Sequence, residues 1–158
     1  MKTSLRCMFL LVGALLLIVP AVGCASGNSA TESTEFSLTG VNWRWESMTV
    51  RGAEGEDVTT VSDPSLYTVV FNEDGTLNGQ ADCNVYGGSY TTEQGGIQIA
   101  LGPTTTAFCG DQSLDQVFLQ SLSMVVAGGS DGTGKLALES GGGERRMIFA
   151  DGGAPPSQ

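Results

Sequence analysis

The chain has 158 residues, 17 acidic against 7 basic, no histidine, 23 glycines and few aromatics. That length holds one domain with accessories, and glycine-rich runs of Val, Ile, Leu, Thr and Tyr favour a turn-rich β protein over a helical bundle. If Lys2 and Arg6 leave with a leader, five basic residues face 17 acidic ones, a net charge of −12 that repels nucleic acid and anionic headgroups.

Met1 to Gly23 has the three parts of a secretory signal: a positive start at Lys2 and Arg6, an apolar run from Met8 to Val19, and small residues before Cys24. The apolar run is too short to cross a hydrocarbon layer of about 30 Å. Ala21-Val22-Gly23-Cys24 resembles the bacterial lipobox, with Ala21 where leucine is usual. That resemblance implies cleavage after Gly23 and acylation of Cys24, and hence a membrane anchor. Cleavage after Gly23 or Ala25 without acylation is the alternative, and it would release a soluble secreted protein. Residues 24–36 are then the lipidated N-terminus and a polar tether. The eleven residues from Ala25 to Glu35 reach on the order of 20 Å. Ala25, in place of aspartate, implies the outer membrane if the cell is Gram-negative. Either route exports the chain to the periplasm or cell exterior.

The folded domain is expected over 37–151, with 152–158 a disordered tail. Val41, Trp43 and Trp45 alternate with polar residues, so both indoles share one face and are read as core. Gly52 to Asp57 reads as an acidic loop and Val58 to Val61 as a short strand. Tyr67 to Phe71 and Thr76 to Asn78 form a hairpin about Asp74-Gly75. Gly79 predicts a bulge or a close backbone approach. Val85 to Thr91 and Ile97 to Leu101 are the next strands, the latter ended by Gly102-Pro103. A helix follows. Ser113 and Gln116 have capping-box spacing, Asp111 and Asp115 suit a helix N-terminus, and Leu114, Val117, Phe118, Leu122 and Val125 make one apolar stripe. Gly128-Gly129 is expected to stop it. Lys135 to Glu139 and Arg146 to Ala150 then pair across Gly141 to Gly143. The fold class is α+β, mostly β, with about eight short antiparallel strands in a curled sheet or partly open barrel covered by one helix.

Cys7 departs with the leader and Cys24 belongs to the lipobox, which leaves Cys83 and Cys109. In an oxidising compartment they are expected to form a disulfide. The alternative, a reactive thiol, lacks a histidine to activate it. Two cysteines without histidine also fall short of a zinc site.

These residues together resemble the META domain of heat-shock-induced (HslJ-like) bacterial envelope proteins. The likeness is carried by Trp43, Tyr67-Thr-Val-Val-Phe71, Asp74-Gly75 and Gly79 leading into Cys83-Asn84. It continues through Gly88, Tyr90, Thr106-Ala107-Phe108-Cys109, Phe118 and Leu122 to Leu136-Ala-Leu138 and Met147-Ile-Phe149. It implies a fold like that of a secretion pilotin lipoprotein, lipid or peptide binding and an association with stress; it carries over no established enzymatic activity, and no cofactor is expected.

Asn84 and Tyr86, beside a cysteine and a Gly-Gly bend, are a candidate binding rim; otherwise Asn84 satisfies backbone groups in a tight turn. Gly129 to Leu136 imitates a phosphate-binding loop, but Leu136 replaces the metal-holding hydroxyl and no helix follows, so no nucleotide is expected. The leading expectation is a non-catalytic envelope lipoprotein binding a protein, peptide or lipid. A soluble secreted inhibitor or hydrophobic-ligand carrier comes next, and an enzyme third.

Overall fold

The computed structural model describes residues 36–93 and 95–156; the leader, Cys24 and the tether lie outside these. Nine strands are present: β1 (Asn42–Gly52), β2 (Gly55–Thr60), β3 (Tyr67–Phe71), β4 (Thr76–Ala81), β5 (Asn84–Glu93), β6 (Gly96–Thr104), β7 (Val125–Ser130), β8 (Leu136–Ser140) and β9 (Arg145–Asp151). The helix α1 (Asp115–Ser123) joins β6 to β7. No helix among the described residues is long and apolar enough to cross a membrane.

All strand pairs are antiparallel, and the curl runs to closure because β9 pairs with β1 along Trp43 to Val50. The other edge of β1 is shared: β3 takes Asn42 to Arg44, and β2 takes Ser47 to Gly52. Eight strands therefore close the barrel, and β2 stands outside it as a flange. Closure is thinnest between β6 and β7, which meet only at Gly96 and Ala127.

The inward face of β1 begins as expected, with Trp43 and Trp45 buried. Opposite β9 the register then slips between Trp45 and Ser47, so the next buried residue is Met48. A bulge reverses the side-chain alternation that a plain strand would keep. The Val58 to Val61 strand is longer than expected. Glu56 and Asp57 pair with Arg51 and Val50, which turns most of the expected acidic loop into ladder.

The Asp74-Gly75 hairpin is present in register from Tyr67 opposite Ala81 to Phe71 opposite Leu77. Both faces of β3 are buried. Thr68 and Val70, on the outer face, are flanked in register by Arg44 and Gln80 and by Asn42 and Asn78. Leu66 belongs to a 3-10 turn (Pro64–Leu66), not to the strand.

Five local expectations are corrected. Gly102-Pro103 does not end its strand: β6 continues to Thr104, opposite Tyr86, by carrying one extra residue, a place where proline costs no ladder bond. Gly128-Gly129 does not stop the helix, which ends at Ser123; these glycines lie inside β7 opposite Leu138 and Ala137. The capping box does not form, because Leu114 holds the N-cap position and Ser113 Oγ instead accepts from the Asp115 N–H. The stripe is narrower than its spacing implied, since Phe118, Ser121 and Leu122 are buried, Val117 faces out and Val125 belongs to β7. The tail also starts later: Asn42 N–H donates to Gly153 O, and Gly152 N–H to Asn42 O.

Candidate functional site

The eight barrel strands run between two ends. One end gathers the start of β1, the β3–β4 turn and the β5–β6 connection. Phe36 stacks near Trp43 there, with ring centroids 5.6 Å apart, and Trp43 Nε1 donates to Leu38 O. Phe36 and Leu38 also line a small cleft with Gly96, Ile97 and Gly128. Phe36, the first described residue, therefore sits at this end. The other end gathers the β4–β5 turn, the end of β6, α1 and the β8–β9 turn.

Cys83 sits in the two-residue turn between Ala81 and Asn84, which are register partners, rather than within a strand. The preceding Asp82 has a φ of +57°. Asp and Asn tolerate that region better than most residues. Cys83 is bonded to Cys109, with Cα atoms 5.5 Å apart. The bond ties the β4–β5 turn to the segment that leads into α1.

Asn84 is not on a rim. It is buried, and its amide oxygen accepts from Ala107 N–H at 2.8 Å and Thr105 Oγ1 at 3.0 Å. Its amide nitrogen lies 3.0 Å from Ala107 O and 3.1 Å from Asp115 Oδ2. A buried amide so supplied satisfies the backbone of a loop that has no sheet partner of its own. Tyr86 is not on a rim either. Its hydroxyl donates to Thr68 O at 2.8 Å, and burial pushes its pKa well above the ordinary 10.0.

Phe118 packs inside this end of the barrel. Its ring lies 5.2 Å from Trp45, 5.7 Å from Tyr67, 6.0 Å from Tyr86 and 6.2 Å from Phe149, centroid to centroid. Tyr67 Oη accepts from Leu114 N–H, satisfying a helix-end N–H that the missing cap leaves open. The barrel interior beneath α1 is thus filled with aromatic side chains.

Outside that plug the surface changes character. Phe108 is 83% exposed and Val117 37%, and both line a groove of about 430 Å³ with Ala107, Asp111, Asp115 and Gln116. Alternation could not find Phe108, because the residue lies between strands. A large aromatic among small residues, directly before a cysteine, was the available signal.

Gly129 to Leu136 forms the end of β7, a turn and the start of β8. In that turn Asp131 accepts from Thr133 N–H and Lys135 N–H. Among the described residues, no three His, Cys, Asp or Glu side chains come together as a metal site would require.

A closed eight-stranded antiparallel barrel, plugged by one helix and stapled at that end by a disulfide, defines a small β-barrel domain class. A META domain family model matches residues 36–152, and the chain belongs to that family. Two solved structures share the fold. A protein from Burkholderia xenovorans is 18% identical with a TM-score of 0.58, covering 72% of this chain and 83% of the other. A DUF4847 family protein from Bacteroides vulgatus is 14% identical with a TM-score of 0.55, covering 74% and 96%. No curated protein matches the sequence.

Proposed function

We propose that this META-domain protein is a non-catalytic, exported lipoprotein, anchored through acylated Cys24, whose domain binds a protein or peptide partner on its surface. The observation that carries this reading is the filled interior. Phe118, Trp45, Tyr67, Tyr86 and Phe149 occupy the space beneath the helix where an internal ligand would sit. That packing supports binding on the outside of the barrel over the hydrophobic-carrier alternative, which needs an internal cavity. The Cys83–Cys109 bond supports an oxidising compartment, since such bonds persist outside the cytosol. The stress association rests on the family likeness.

Intact mass of the protein purified from membranes is the test. The expected product begins at Cys24, carries acyl chains there, and has Cys83 and Cys109 oxidised. Globomycin should block its processing, and Cys24→Ser should release it from membranes. A soluble, unacylated product beginning at Cys24 or Ser26 would overturn the anchor and favour the secreted-inhibitor alternative.

A further inference from the structure

We propose that the groove beside the disulfide docks an extended peptide segment of another protein, one carrying an apolar side chain flanked by lysine or arginine. This deepens the surface-binding reading and rests on it.

The first ground is Phe108. Its large aromatic ring is 83% exposed at the edge of a groove, and aromatic side chains are enriched among the residues that anchor interfaces. It is also held in place from several sides. The next residue, Cys109, is bonded to Cys83; the preceding residue, Ala107, is gripped through both its N–H and its carbonyl by buried Asn84. Thr105 exchanges bonds with the Val85 backbone. A backbone held on both sides of Phe108 loses little freedom on binding.

Charge chooses the occupant. Asp111 and Asp115 line the groove beside Phe108 and Val117, and no lysine or arginine does. A chain with net charge −12 after loss of its leader offers little to compensate them. A second copy would bring the same carboxylates against themselves across a two-fold contact. Anionic lipid headgroups would be repelled as well. A basic segment with an apolar residue satisfies both the carboxylates and the ring.

Geometry agrees. β5 starts at Asn84, beside the groove, and ends at Glu93, near where Phe36 enters; its ten residues span roughly 30 Å. The groove and the cleft lined by Phe36 therefore lie at opposite ends of the barrel.

The test uses the processed chain carrying Cys24→Ser, isotopically labelled for amide NMR. Three synthetic peptides are titrated: a Leu-Trp pair flanked by lysines, the same pair flanked by glutamates, and the lysine peptide with serines for Leu-Trp. The expected result is saturable shifts confined to Thr105–Val117 with the lysine peptide, and at least about tenfold weaker binding of the other two. Phe108→Ala should weaken the lysine peptide about tenfold with Tm unchanged, and added salt should weaken it further. Equal binding of the glutamate peptide, indifference to Phe108→Ala, absence of binding, or concentration-dependent dimerisation through Phe108 would each overturn the proposal. Shifts elsewhere on the barrel would overturn this site while leaving the surface-binding reading intact. The mass of Cys24 is decided independently of all these outcomes.

Discussion

Tyr86 lies across Gly79, its register partner on the neighbouring strand, and uses the vacant space to reach the Thr68 carbonyl. A methyl group on Gly79 would run into Thr68 O and stand 2.7 Å from the Tyr86 hydroxyl and 2.8 Å from its Cζ. The close backbone approach expected from the sequence is therefore the one present, and the β3–β4 and β4–β5 registers pass through Gly79 without a bulge. Gly79→Ala is expected to destabilise the domain by about 3 kcal/mol, because a strand carbonyl cannot move aside as a side-chain end can. Gly129, also in a strand but with open space around it, should accept alanine with little change. Urea unfolding of the two variants checks the contrast.

Removing the disulfide should cost about 3.5 kcal/mol by the chain-entropy relation for a separation of 26 residues. Chemical denaturation with and without reductant measures it. A Cys83→Ala/Cys109→Ala variant should match the reduced protein. Amide exchange should accelerate first in the Thr105–Cys109 segment, which loses one of its attachments to the barrel.

Asn84→Ala removes another attachment of the same segment. It strands the Ala107 N–H and carbonyl, which have no strand partner, so a loss of about 2–4 kcal/mol is expected. Tyr86→Phe should cost less, about 1 kcal/mol, since one carbonyl loses its donor while the ring packing remains. Thermal melts of both variants set the order.

Three surface turns respond to acid. Asp63, Asp74 and Asp131 each accept from the hydroxyl and the backbone N–H of the residue two positions on: Ser65, Thr76 and Thr133. Hydrogen bonds to the Ser65 and Thr76 side chains, and to the Thr133 backbone, hold these carboxyls below the ordinary 3.8. A depressed folded-state pKa adds stability that is complete above 3.8 and disappears as pH falls through the folded value. Stability should therefore drop on acidification below that pH, and the Asp63→Asn/Asp74→Asn/Asp131→Asn variant should show a shallower drop. Unfolding midpoints measured across the acid range decide it.

Where local chemistry suffices, residues announce their structure. Asp74-Gly75 between two apolar runs makes its turn without outside help, and Trp43 and Trp45 share a face because strands alternate. Other positions are ambiguous until a partner arrives. Gly128-Gly129 can end a helix or run inside a strand, and the pairing with Leu138 and Ala137 selects the strand. Gly102-Pro103 looks like a breaker, yet β5 tolerates the extra residue as a bulge. Asn84 carries the same side chain whether on a rim or in a buried socket; the 105–109 segment folding over it makes the socket.

The sequence alone pointed to the mostly β class through alternation and turn chemistry, to the family through the motifs that resemble the META domain, and to the pairing of Cys83 with Cys109 through a short supply of thiols. Tertiary structure alone decided that the barrel closes, that Asn84 and Tyr86 are buried and that Phe108 is not. Closure and burial depend on which distant segments meet, as Trp43 to Val50 meet Arg145 to Asp151. Local pattern carries no record of that meeting, since the same alternation serves an open sheet and a closed one.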